Sequence, residues 1–147
     1  MLRDYRAPRT SRVTDPALVA KKLAAIETAV NDLRRLAQPD RLSIDLLQRR
    51  FVEHTLQIAI QASLDVASHI VSDYRLGEPK TNREVFALLA QAGWIDATLL
   101  DSLSRMVGFR NILVHGSDDV DLDVVRDVLG NRLSDLEVFV AAIRGRS

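Results

Sequence analysis

The sequence predicts an all-α fold, a single-domain bundle of about five helices built around a long central second helix. Three observations predict it. Apolar residues recur at three- and four-residue spacing in successive segments, which gathers them on one face of a helix. No segment alternates apolar and polar residues as a half-buried strand does. The breaks between periodic segments carry helix stops and caps, and only six glycines and four prolines occur in 147 residues.

Residues 1–14 form an Arg-rich arm, with Arg3, Arg6, Arg9 and Arg12 against the single acid Asp4 and few apolar anchors to pack it. Two readings stand for it: a frayed terminus, or a phosphate-seeking arm. The helical domain is expected over 15–147. Asp15-Pro16 starts the first helix, because the Asp side chain can accept free N–H groups and a first-position proline has no N–H to waste. Leu18, Val19, Leu23, Ile26, Val30 and Leu33 carry it to about Leu36, before Gln38-Pro39.

From about Leu42 to Leu76 no Pro or Gly occurs, and Leu46, Leu47, Phe51, Leu56, Ile60, Leu64, Ala67 and Ile70 keep an apolar stripe. Ile58, Ala59, Ala62 and Val66 broaden that stripe. A helix apolar on more than one side meets either its own bundle alone or a second subunit as well, and a homodimer is the natural expectation. Asp65 and His69, four apart, share a face of this helix beyond His54. They either support a catalytic imidazole or make an ordinary exposed pair, and two groups are too few for a metal site.

Gly77-Glu78-Pro79 breaks the chain, and Thr81 with Glu84 restarts it in a capping-box pattern. The short third helix, through Val85, Phe86, Leu88 and Leu89, stops near Gly93, and Trp94 reads as a core plug. Asp96 caps a fourth helix carrying Leu99, Leu100, Leu103, Met106 and Val107, with Gly116 as its end. Leu122, Val124, Val125, Val128, Leu129, Leu133, Leu136, Val138, Phe139 and Ile143 make the last helix, with Gly130 a weak point inside it.

Composition excludes several function classes. There is no cysteine, hence no disulfide, thiolate metal site or cysteine nucleophile, and a reducing cytoplasm is the default compartment. No apolar run approaches the roughly 18 to 20 residues that span a bilayer, and the Arg-rich start leads into no signal-peptide core. Twenty basic residues balance twenty acidic ones, so no global field draws nucleic acid and none repels it.

Chemistry concentrates in Arg110-Asn111-Ile112-Leu113-Val114-His115, polar groups set into an apolar segment. Histidine gives and takes protons near neutrality, and arginine is a permanent cation matched to phosphate. Together they suffice for metal-independent RNA cleavage, His115 as base or acid at a ribose 2′-hydroxyl and Arg110 as the cation that stabilises the phosphoryl oxygens. No cofactor is required. On an ideal helix residues five apart are rotated by about 500°, or about 140° net, so Arg110 and His115 do not share a face. Either the helix distorts near His115 or two subunits pool their motifs. Asn111 stands four before His115 and can hold its imidazole or a phosphate oxygen. The bland alternative is an arginine stabilising a helix C-terminus beside an uninvolved histidine.

The run from Met106 to His115 strongly resembles the signature of the HepT-like proteins, a branch of the HEPN superfamily of ribonuclease domains: an Arg, a short spacer beginning with a polar residue, then a His. Arg49 to Ile70 looks like that family's long second helix, and Pro79 to Trp94 resembles its third-helix segment, so the likeness covers about Asp15 to Ile143. The resemblance implies a HEPN-like homodimer whose two motifs line a cleft between subunits and cleave RNA without metal. It also implies a toxin of a toxin–antitoxin pair, neutralised by an MntA-type minimal nucleotidyltransferase that adenylates a tyrosine two residues after the motif histidine.

The sequence departs from the pattern there. Ser117 stands at the tyrosine position, after Gly116, and the only tyrosines are Tyr5 and Tyr74. Ser117 is therefore the candidate for modification or substrate contact. The departure keeps a second hypothesis open, a catalytically weak or inactive HEPN-fold subunit that pairs with the nucleotidyltransferase. Asp118, Asp119, Asp121 and Asp123 follow as a solvated turn and cap, or as a surface for a basic partner.

Overall fold

In a computed structural model of the chain, residues 15–114 and 121–146 are described. The Arg-rich arm, His115, Gly116, Ser117 and the first acidic residues after them lie outside the described residues.

Helix α1 runs Pro16–Leu36, and Asp15 caps it by accepting the Leu18 N–H on its side chain at 3.0 Å. Its inner face is Val19, Leu23, Ile26, Val30 and Leu33. The second helix starts later than expected. Pro39–Arg41 forms a 3-10 turn, Leu42 is buried as a plug before the helix, and Asp45 accepts the Gln48 N–H at 3.2 Å to open α2 at Leu46. A free carboxylate cap outranks an uninterrupted apolar run as a start signal.

Helix α2, Leu46–Asp73, is the 28-residue spine of the molecule and packs on α1 and on three helices that follow. Those helices cover Ala59, Ala62 and Val66, and Ile58 alone of the four broadening residues stays exposed, at 42%. Most of the wide stripe is thus explained within one chain. Buried Thr55 and Ser63 donate their hydroxyls to the Phe51 and Ile60 carbonyls, so neither hydroxyl is left unpaired. The helix closes with Arg75 N–H on the Ser72 carbonyl and Leu76 N–H on the Val71 carbonyl, and Arg75 takes φ 53° to do so.

Helix α3 is Asn82–Gln91. The Thr81 hydroxyl accepts the Glu84 N–H at 3.2 Å, as the capping-box spacing predicts, and the Glu84 carboxylate accepts the Thr81 hydroxyl at 3.2 Å in place of the backbone N–H of a full box. Gly93, at φ 82°, ends it, with Gly93 N–H on Ala90 and Trp94 N–H on Leu89. Trp94 is a core plug as expected: buried, edge-on to Tyr74 at 5.2 Å and covered by the Arg146 guanidinium at 4.3 Å.

Helix α4, Ala97–Val114, is capped by Asp96, which accepts the Leu99 N–H at 2.8 Å. The fifth helix is α5, Leu122–Asp127, joined through a π-helical turn, Val128–Arg132, to α6, Leu133–Arg144. Gly130 lies inside that turn, so the weak point is where the ladder changes register. Phe86 of α3 and Phe139 of α6, both fully buried, meet edge to face at 6.1 Å in the core. Two ion pairs tie α1 to α6: Arg144 with Glu27, two bonds of 2.8 Å, and Arg34 with Glu137 at 2.6 Å. No described helix is long and apolar enough to cross a membrane.

Candidate active site

The part of the motif from Arg110 to Val114 lies on α4. Met106, Val107, Phe109 and Leu113 are buried and lock one face of the helix against α2, α3 and α6. With those positions inside, helical rotation brings Asn111 and Ile112 to the surface and leaves Arg110 at the boundary, half-buried. The apolar periodicity of the segment therefore aims its polar residues.

Arg110 donates from Nη1 to Oδ1 of Asn111 at 3.3 Å, while its Nε is buried and has no hydrogen-bond partner among the described residues. Among the described residues no carboxylate neutralises it. That differs from Arg34, Arg41, Arg50, Arg105, Arg126, Arg132 and Arg144, each within 4.0 Å of an acid. An unpartnered buried donor costs about 1–3 kcal/mol, and such groups mark sites where a ligand supplies the missing acceptor. The site so described can offer an anion a fixed cation and a carboxamide.

The structure assigns Asp65 to other partners. It takes Lys22 Nζ at 3.0 Å and Gln61 Nε2 at 2.8 Å, and makes no hydrogen bond or ion pair with His69. His54, Lys22 and Asp65 instead line a pocket of about 270 Å³ between α1 and α2. Among the described residues no group of three or more His, Asp or Glu stands close enough to hold a metal ion.

One residue of this surface was not singled out from the sequence as a site residue. Arg83, in the first turn of α3, crosses to α4 and lays its guanidinium over Gly108, its Nη2 2.7 Å from where a Cβ would stand. Gly108 sits two positions before Arg110. The available signal was a cation in the first turn of a helix, where the dipole disfavours it.

Residues 26–143 match the family model described as ribonuclease HepT-like. The chain belongs to the HepT-like ribonuclease family. The matched span holds α2, α3, α4 and the whole of Arg110 to His115.

HepT-like relatives agree along nearly their whole length. The mRNA nuclease HepT of Shewanella oneidensis is 33% identical over 128 residues, 86% of this chain and 96% of the relative. The tRNA nuclease HepT of Aphanizomenon flos-aquae is 27% identical over 88% of this chain and 89% of the relative. A solved structure of the tri-AMPylated Shewanella oneidensis HEPN toxin in complex with MNT antitoxin superposes with a TM-score of 0.82 at 32% identity, covering 88% of this chain and 98% of that one. The cytosolic protein YutE of Bacillus subtilis shares the fold alone, at a TM-score of 0.81 and 14% identity over 89% of each chain.

Proposed function

We propose that this chain is a metal-independent endoribonuclease toxin, acting in the cytoplasm with Arg110 and His115 at a cleft between two subunits. The observation that carries the reading is Arg110: a half-buried guanidinium without a carboxylate partner among the described residues, at the motif of a HepT-like ribonuclease. His115 takes the proton from a ribose 2′-hydroxyl, the oxygen attacks the adjacent phosphorus, and the bond to the 5′-oxygen breaks as that oxygen takes up a proton. The products are a 2′,3′-cyclic phosphate and a 5′-hydroxyl. Charge gathers on the phosphoryl oxygens during this step, and Arg110 is fixed where it need not reorganise to meet it. Asn111 holds either the imidazole or a phosphate oxygen.

The two-subunit cleft answers the rotation of about 140° between positions five apart on a helix, which keeps Arg110 and His115 of one chain from converging. A mononucleotide-transferring MntA-type antitoxin is the proposed partner, supported by the relative solved with its MNT antitoxin. Ser117 is the proposed acceptor or substrate contact where the family pattern has tyrosine.

The replacement of that tyrosine by Ser117 favours one second reading, a weak or inactive subunit that serves to bind the nucleotidyltransferase. Incubation with single-stranded RNA in excess EDTA separates the two. The ribonuclease reading expects cleavage with cyclic-phosphate ends; cleavage that needs an added divalent cation contradicts metal independence, and no cleavage in either buffer leaves the binding-subunit reading.

A further inference from the structure

We propose that Arg83 is a second phosphate-binding residue of this site, and that Gly108 is the clearance that lets it reach the motif-bearing helix. The inference rests on the ribonuclease reading and adds a contact to the RNA strand outside the Arg110–His115 motif.

Arg83 is exposed, and it takes part in no hydrogen bond or ion pair with any described residue. Its position does not serve its own helix, because a cation in the first turn of α3 opposes the dipole. What holds the guanidinium is shape: it lies on the bare backbone of Gly108, with Nη2 2.7 Å and Cζ 3.8 Å from the point a Cβ would occupy. Glycine inside a helix weakens it relative to alanine, so this residue is explained by what approaches it rather than by the helix.

The placement matters for substrate. Gly108 and Asn111 are three apart and lie on one face of α4, and the sequence sets Asn111 four before His115. Arg83 therefore supplies a cation to the face that carries Asn111, whereas Arg110 flanks that face. Arg83 reaches α4 from α3, while Arg110 is carried by α4 itself, about 160° around the helix from Gly108. Neither has a carboxylate partner among the described residues, and two such cations on different sides of one helix segment suit a polyanion strand that runs across it. The ligand is a phosphodiester next to the scissile one.

The test is binding of a 2′-O-methyl single-stranded oligoribonucleotide, which cannot be cleaved, by the full chain at several salt concentrations. Arg83→Ala should weaken binding about tenfold and lower the slope of log K against log salt by about 0.7, the share of one phosphate contact. Arg83→Lys should recover part of the loss. Gly108→Ala should displace the guanidinium and weaken binding while leaving thermal stability unchanged or raised. In cleavage of ordinary RNA, Arg83→Ala should raise KM and leave kcat nearly unchanged. Wild-type affinity and slope in Arg83→Ala overturn the inference while wild-type cleavage stands. Wild-type protein that neither binds nor cleaves overturns the ribonuclease reading and this inference together.

Discussion

Arg110 and Asn111, neighbours in sequence, are also partners in space: Nη1 of the arginine donates to the carboxamide oxygen of the asparagine at 3.3 Å, while the buried Nε has no acceptor among the described residues. The asparagine orients the cation without neutralising it. A carboxylate in its place would do both.

Asn111→Asp should therefore suppress RNA cleavage by at least about 10-fold, by pairing Arg110 and repelling the phosphate. Because Asn111 is exposed, the fold should hold, and the melting temperature should stay within a few degrees of wild type. Full activity in the Asp variant would show that Arg110 is not the cation of the reaction.

Arg75 offers a test of the scaffold apart from chemistry. It occupies the left-handed region at φ 53° to close α2, a conformation that costs a residue with a Cβ about 1–2 kcal/mol and glycine little. Arg75→Gly should stabilise the protein by about 0.5–1 kcal/mol after the added unfolded-state entropy is subtracted. Chemical denaturation reads this directly, and a lower midpoint would refute the account of that turn.

Glu27 sets an acid limit. The hydrogen bonds from Arg144 hold its carboxyl below the ordinary glutamate value, against a smaller opposing effect of burial. A depressed folded pKa contributes stability that is complete above the unfolded value, about 4.3, and is lost as pH falls through the folded one. Glu27→Gln should lower the melting temperature near neutral pH and converge with wild type in strong acid. Parallel curves across that range would remove the α1–α6 clamp from the stability account.

Much of this was legible in the sequence because helical spacing and capping are local. Asp15, Thr81 and Asp96 accept the N–H groups that their positions predict, and Gly93 ends α3 where a left-handed residue is needed. The start of α2 was not legible, since Leu42 continues the apolar run although it plugs the core ahead of the helix. Asp65 shows a related limit. Its i,i+4 neighbour His69 is visible in one dimension, but the Lys22 ammonium that claims it comes from α1, 43 positions away. Arg83 on Gly108 is likewise a contact between helices, which no local rule foretells.

The most direct test of the central claim is the rate of RNA cleavage by Arg110→Ala and His115→Ala proteins, each alone and then mixed after dissociation and reassociation. Each variant alone should lose roughly 100-fold or more. The mixture should regain about a quarter of the wild-type rate, because half the dimers are mixed and each mixed dimer holds one intact site of two. Variants as active as wild type would contradict the assignment of Arg110 and His115, and a mixture as inactive as its components would contradict a site shared between subunits.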